Sequence, residues 1–275
     1  MAELWTQRED TGPSPSGVEG ALAYDTDRNV AVLLAPSLVK NPPGETWEWD
    51  GNSWVQVDDM GPTTPAALAF LSDRHSCLAI TGSIQTWERK DSSWTQVADT
   101  GPTNAEVIVY DQSRSRCVTV EAGTGHTWEW DGSAWTKVAD SGPSARGKYG
   151  LAYDSKGKVS VLFGGHTSAP ELLNDTWTWD GKRWKQAADI GPSKRMFAAM
   201  TYDDSKARTL LFGGWDGTTT FGDTWQWDGK LWRQLSDMGP PPRLGPALCY
   251  DSNRQRAVLF GGDTVVDTWE FFDQP

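Results

Sequence analysis

The chain has 275 residues, of which 25 are basic and 37 acidic, so its formal net charge is −12. Nucleic acid binds through many phosphate contacts to lysine and arginine, and such an acidic chain is a poor partner for it. No apolar stretch approaches the roughly 18 residues that a membrane span needs, and residues 1–5 show neither the basic start nor the apolar run of a signal peptide.

The chain opens on a strand pattern at residues 4–7, followed by an Asp-x-Gly-Pro sequence that recurs along the whole chain. Its six copies have their prolines at Pro13, Pro62, Pro102, Pro143, Pro192 and Pro240. A Thr-Trp pair recurs at spacings of 40 to 49 residues, with its tryptophan at Trp47, Trp87, Trp128, Trp177, Trp225 and Trp269. Self-similarity at such a period is typical of repeat architectures, in which each copy is one supersecondary unit.

Each copy predicts four short strands, named a to d in chain order. In the fourth copy we expect them at residues 149–154, 158–164, 176–180 and 184–188. Strands c and d are joined through Asp180-Gly181, and an Asp-Gly turn between two strand patterns is a strong hairpin signal. Because a tryptophan that recurs in every copy builds the repeat, we expect Trp177 in the core of its blade.

Six copies of this unit predict an all-β protein, a six-bladed β-propeller of four-stranded antiparallel blades. We expect the blades at residues 14–58, 63–98, 103–139, 144–188, 193–236 and 241–275, the last together with residues 3–9. The sixth copy stops after strand c, at residues 269–272, whereas the N-terminal segment is a strand d without a blade. The N-terminal strand is therefore expected to complete the last blade, within a single domain that covers residues 1–275.

Three further features of the copies point to a known repeat. A Gly-Gly pair follows an apolar strand after Phe163, Phe212 and Phe260. An aromatic residue precedes aspartate at Tyr24, Tyr110, Tyr153, Tyr202 and Tyr250. Together with a second tryptophan seven residues beyond the Thr-Trp pair, they resemble the Kelch repeat of the galactose oxidase central-domain-like superfamily. The resemblance covers almost the whole chain and implies the propeller fold, but Kelch propellers include actin binders, ubiquitin-ligase adaptors, glucosinolate specifier proteins and the galactose oxidase core, so it implies no single function.

Four large aromatic residues remain once the repeated positions are set aside: Tyr149, Phe197, Trp215 and Phe221. All four lie in the fourth and fifth copies. The alternation of antiparallel strands places them on one rim of the propeller, formed by the d–a connections and the b–c loops. Large aromatics with a polar group are common in binding sites, so they are candidate ligand-binding residues. The alternative is that they pack within the loops.

Charged residues are unevenly distributed over the copies. Residues 1–140 hold 9 basic and 21 acidic side chains, whereas residues 141–275 hold 16 of each. On the inferred rim, blades 4 to 6 place an arginine at one shared position, and blades 1 to 3 supply glutamates nearby: Arg146, Arg195, Arg243, Glu19, Glu106 and Glu121. Arginines can bind a carboxylate or phosphate by a bidentate fork, or they can brace neighbouring blades through backbone carbonyls. The sequence is consistent with both roles.

Two functions are consistent with this rim. The first is a binding scaffold that recognises a protein segment or a small ligand, centred on blades 4 to 6. The alternative is a small stand-alone enzyme of the lyase, cyclase or isomerase class, acting on an anionic or aromatic molecule in the central funnel. Its catalytic residues are unknown, but Lys148, which has no equivalent lysine, and His166, which follows Gly164-Gly165, are candidates for the acid or base.

No cofactor is expected. The histidines and carboxylates around His166 match no metal-ligand spacing, and no phosphate-binding or dinucleotide motif occurs. His126 replaces the aspartate of the Asp-Thr-Trp sequence and is expected to form a hydrogen bond that stabilises a turn. Three cysteines outside any CxxC pair predict free thiols, as in a reducing compartment. We therefore expect a cytoplasmic monomer whose partner is a protein segment or a small molecule, with no nucleic-acid or membrane partner.

Overall fold

The computed structural model describes residues 3–13, 20–35, 43–63, 65–82, 84–168, 171–263 and 265–273. All regular secondary structure in these residues is β, arranged as six four-stranded antiparallel sheets, the blades of a propeller. Within these same ranges, no helix is long and apolar enough to cross a membrane. The predicted fold is confirmed.

The first three blades follow each other along the chain. Blade 1 holds β2 (Ala21–Asp25), β3 (Val30–Ala35), β4 (Gly44–Trp49) and β5 (Trp54–Gly61). Blade 2 holds β6 (Pro65–Leu71), β7 (Ser76–Thr81), β8 (Thr86–Lys90) and β9 (Ser93–Ala98). Blade 3 holds β10 (Val109–Asp111), β11 (Arg116–Val120), β12 (Thr127–Trp130) and β13 (Trp135–Ala139).

The last three blades include the one that joins the two chain ends. Blade 4 holds β14 (Gly150–Asp154), β15 (Val159–Phe163), β16 (Thr176–Trp179) and β17 (Trp184–Ala188). Blade 5 holds β18 (Ala199–Asp203), β19 (Arg208–Phe212), β20 (Thr224–Trp227) and β21 (Trp232–Ser236). Blade 6 holds β22 (Ala247–Asp251), β23 (Arg256–Phe260), β24 (Thr268–Asp273) and the N-terminal strand β1 (Glu3–Glu9).

Closure of the ring takes place in blade 6. Strand β1 pairs antiparallel with β24, with Trp5 opposite Phe271, and forms the outer edge of that sheet. The prediction that the N-terminal strand completes the last blade is thus confirmed. The four strands predicted for blade 4 also agree with the structure to within one residue at each end.

The hydrophobic core lies between blades rather than within one. Val161 and Phe163 of blade 4 pack in one cluster with Leu211, Trp227 and Trp232 of blade 5. Neighbouring blades cover both faces of each strand b, which explains its continuous apolar run. The expectation for Trp177 is wrong in detail, because it is only half-buried. The tryptophan two residues later, Trp179, points to the same side of the strand but is 1% exposed, and its indole N–H donates to Glu129 of blade 3.

Candidate functional site

The strands a of the six blades surround a central channel that has a cavity at each end. The upper chamber, about 260 Å³, opens on the face of the d–a connections and b–c loops. The lower chamber, about 280 Å³, opens on the face of the a–b turns. Seven apolar residues, at least one from each blade, line both cavities: Leu22, Leu68, Val107, Ile108, Leu151, Met200 and Leu248.

The upper chamber is mainly apolar. Its walls come from small residues of the strands a, among them Ala67, Gly150, Ala199 and Ala247. Among the described residues, charged side chains enter its lining at one side only. They are Glu106 of blade 3 and Lys148 of blade 4, with Phe197 of blade 5 beside them. We call Glu106, Lys148 and Phe197 the lip of the upper chamber.

A ladder of backbone hydrogen bonds builds the lip. Lys148, Phe197 and Gly245 hold equivalent positions in blades 4 to 6 and all have left-handed backbones, with φ of 53°, 60° and 63°. The Phe197 N–H donates to the Lys148 carbonyl, and the Gly245 N–H donates to the Phe197 carbonyl, each at 2.9 Å. Blades 5 and 6 are therefore each tied to the preceding blade at the channel mouth.

The Glu106 side chain starts this ladder. Its Oε2 accepts the Lys148 N–H at 2.5 Å, in the place that a carbonyl takes in the next two blades. The other oxygen, Oε1, lies 3.5 Å from Lys148 Nζ. The same ammonium lies 5.2 Å from the centre of the Phe197 ring, within range of a cation–π contact. The lip thus brings together one cation, one anion and one aromatic ring from three consecutive blades.

His166 lies behind the lip. Its backbone exchanges two hydrogen bonds with Gly147, at 3.0 and 2.9 Å. A Cβ on Gly147 would lie 3.4 Å from His166 Nε2 and 3.5 Å from each Glu106 carboxylate oxygen, so both groups approach the bare Cα of this glycine. His166 Nδ1 lies 3.1 Å from the Thr167 carbonyl, which only accepts, so Nδ1 carries the proton and Nε2 of the neutral ring is the acceptor.

Trp215 holds the place of His166 in blade 5, where its backbone bridges Met196. The indole is half-buried in the b–c loop. Neither Trp215 nor His166 is among the residues that line the upper chamber.

The three rim arginines are buried to 1% exposure and bound within the protein. Arg146 Nη1 donates to Asp175 at 2.5 Å and to the Gly164 carbonyl at 3.0 Å, while Nη2 donates to the second Asp175 oxygen at 2.9 Å. Arg195 and Arg243 repeat this arrangement with Asp223 and Asp267. Each side chain fastens the b–c loop of its own blade, so the geometry is that of a brace, and a role in ligand binding remains a prediction.

Two of the unrepeated aromatics pack inside the rim. Phe221 lies beneath the Arg195 guanidinium, 3.9 Å from ring centre to carbon. Tyr149 is 2% exposed, and its hydroxyl donates to the Val120 carbonyl of blade 3 at 2.5 Å. Burial raises the pKa of Tyr149, so the hydroxyl stays neutral. Phe221 therefore packs within the rim, and Tyr149 links blade 4 to blade 3. A role of either residue in ligand binding also remains a prediction.

Glu121 takes part in a different brace in blade 3, where Thr103 stands at the arginine position. Its Oε1 accepts the backbone N–H and the hydroxyl of Thr103, both at 2.7 Å, and its Oε2 accepts the Thr124 hydroxyl at 2.7 Å. His126, in place of the usual aspartate, lies 3.4 Å from the same carboxylate. Burial alone would raise the pKa of Glu121, but these hydrogen bonds outweigh it and lower the pKa to about 2. Glu19 lies outside the described residues.

No protein-family model matches the chain, and no curated protein matches it either. In the part of the chain that the structure describes, no three His, Cys, Asp or Glu side chains are grouped so as to hold a metal ion. Cys77, Cys117 and Cys249 are buried free thiols, as predicted.

Proposed function

We propose that this propeller is a Kelch-type binding protein that holds a small, mainly apolar ligand in the upper chamber, with the ligand's polar head at Lys148. The proposal rests on the left-handed backbone conformation of the lip residues Lys148 and Phe197. A left-handed conformation costs a residue other than glycine about 1–2 kcal/mol. Blade 6 places Gly245 at this position, whereas blades 4 and 5 place Lys148 and Phe197 there. Side chains kept at such a cost are typical of functional sites.

The chamber favours one class of ligand. Small-molecule sites are mostly apolar, with a few polar groups that orient the ligand. Here the apolar walls suit a small hydrocarbon or aromatic body, and Phe197 lies where that body enters. The hydrogen bond that Glu106 accepts comes from the Lys148 backbone N–H, so it does not require a particular position of the Lys148 ammonium. The ammonium is thus able to bind a carboxylate without leaving Glu106 unpaired, and we infer an anionic head group.

The test uses phenylacetate and its neutral counterpart 2-phenylethanol as probes, with binding followed by ligand-observed NMR. We expect phenylacetate to bind more tightly, and we expect Lys148→Met to remove this preference. Lys194→Met removes an equal charge from an exposed position on the same face and serves as the matched control. Equal binding of both probes, or equal loss in both variants, would rule out Lys148 as the anchor of the head group.

A second candidate function is supported by the group around Gly147. His166 Nε2, an acceptor in the neutral ring, and the Glu106 carboxylate both approach this residue, and Lys148 is adjacent. This arrangement suits proton transfer next to a carbonyl, as in a lyase or isomerase. Exchange of the α-protons of phenylpyruvate in D₂O tests it. Exchange that the protein accelerates and that His166→Gln abolishes would favour the enzyme, whereas no acceleration would favour the binding protein.

A further inference from the structure

The lower chamber has a different chemistry from the upper one. Its wall is a belt of aromatic residues, one from each strand a: Tyr24, Phe70, Tyr110, Tyr153, Tyr202 and Tyr250. Two positions further along each blade, a ring of short polar residues surrounds its mouth: Thr26, Ser72, Gln112, Ser155, Asp204 and Ser252. We call these two sets the aromatic belt and the polar ring.

The tyrosine hydroxyls of the belt are directed at neighbouring blades. Tyr110 donates to Asp73 of blade 2, and Tyr250 donates to Ser205 of blade 5 at 2.9 Å. Burial, together with the aspartate of the preceding blade, raises the pKa of both Tyr110 and Tyr153 to about 12. The belt therefore stays uncharged at neutral pH, and its six residues line the wall of the chamber.

Asp204 is the only charged member of the polar ring. Its carboxylate accepts a hydrogen bond from the Ser155 hydroxyl. None of the ion pairs formed by the described residues includes it; the adjacent Asp203 takes Arg208 as its partner. Partial burial, with the charges of Asp203 and Asp154 nearby, raises the pKa of Asp204 despite that hydrogen bond. A carboxylate that pairs with no cation among the described residues thus lies at the mouth of an aromatic chamber.

We propose that the lower chamber binds a small organic cation, such as a quaternary ammonium, held between the aromatic belt and Asp204. Aromatic faces attract cations through their quadrupole, and cages of several aromatics are the established way in which proteins bind quaternary ammonium groups. Asp204 supplies the opposite charge. A metal ion fits the site poorly, because Mg²⁺ and Ca²⁺ require several oxygen ligands at short distances and the ring offers one carboxylate.

This site is independent of the function proposed for the upper chamber. The two cavities share only apolar lining residues, and none of the lip residues lines the lower chamber. The charged residue proposed for each site therefore lines one chamber alone.

Two probes of the same shape test the proposal by calorimetric titration. Choline carries the positive charge, and 3,3-dimethylbutan-1-ol replaces its nitrogen by carbon. We expect choline to bind saturably and the neutral alcohol to bind at least about tenfold more weakly. Asp204→Asn should weaken choline binding by about tenfold, whereas Asp189→Asn, which removes the same charge from an exposed position on the upper face, should leave it unchanged.

The possible outcomes separate this proposal from the previous one. Lys148→Met should leave choline binding intact, and its loss in that variant would place the cation in the upper chamber and overturn the assignment. Absence of saturable choline binding, equal binding of the neutral alcohol, or an Asp204→Asn variant that binds like the wild type would each overturn it as well. Near-UV circular dichroism of each variant confirms that the fold is retained.

Discussion

The indole N–H of Trp54 in blade 1 donates to Thr268 Oγ1 in blade 6 at 2.8 Å, across the junction at which the ring closes. The same bond recurs at the other five junctions, always from a strand d tryptophan to the threonine of the Thr-Trp pair in the preceding blade. The partners, at 2.7 to 2.9 Å, are Trp5–Thr224, Trp94–Thr46, Trp135–Thr86, Trp184–Thr127 and Trp232–Thr176. The recurrence of Thr-Trp in the sequence thus reflects a contact between blades.

This bond predicts the effect of removing one hydroxyl. Thr176→Val keeps the shape of a fully buried side chain but leaves the Trp232 indole N–H without its acceptor. An unsatisfied buried donor costs about 1–3 kcal/mol, and we expect the free energy of unfolding in urea to fall by that amount. Thr178→Val on the same strand alters a less buried residue and should change it by no more than about 0.5 kcal/mol. Equal effects of the two variants would contradict the role of the indole bond.

The two tryptophans of β16 should differ in their contribution to stability. Trp179 is 1% exposed between blades, whereas Trp177 is half-buried. Trp179→Ala leaves a large cavity, and we expect it to lower the free energy of unfolding by about 3–5 kcal/mol. Trp177→Ala should cost clearly less in the same denaturation experiment. The opposite order would mean that the Thr-Trp tryptophan is the core residue after all.

The Glu121 carboxylate should make stability depend on pH in the acid range. Its pKa falls from the ordinary 4.5 to about 2 in the folded protein. The stabilisation is therefore complete above about pH 4.5 and is lost as the pH falls towards about 2. Glu121→Gln should flatten this part of the curve of unfolding free energy against pH. Glu171→Gln, at an exposed position, serves as the control and should follow the wild type.

A substitution at Lys148 should change ligand binding while leaving stability nearly unchanged. Glycine adopts the left-handed conformation without strain, so Lys148→Gly should raise the free energy of unfolding by about 1 kcal/mol. The same substitution removes a partly exposed ion pair, which should lower it by about 0–1 kcal/mol. We expect its melting temperature to stay close to that of the wild type while the preference for phenylacetate disappears. Lys158→Gly provides a matched control, because Lys158 also has a φ of 53° but lies in an exposed a–b turn. The Lys158→Gly variant should keep the preference for phenylacetate. Loss of the preference in this control would show that binding does not depend on the lip.

The fold brings together only some of the predicted site residues. Comparing the copies picked out Lys148, Phe197 and Glu106, which the fold brings together at one chamber. The same comparison also picked out Arg146, Tyr149 and Glu121, whose side chains bind partners within the protein. A residue that differs between copies either serves a ligand or satisfies a local partner, and the sequence does not distinguish the two. The proposed cation site was not predicted from the sequence, although Asp204 is a carboxylate where the other copies have uncharged residues.

The sequence by itself determined the number of blades, the four strands of each and the closure of blade 6 by β1. These follow from local chemistry, since turn residues and alternating strands act over a few positions and repeat at a regular period. Only the tertiary structure decided which buried side chains find partners and which line the chambers. The reason is physical: contacts such as Arg195–Asp223 or Lys148–Glu106 join residues 28 and 42 positions apart, and their geometry exists only once the blades have packed around the channel.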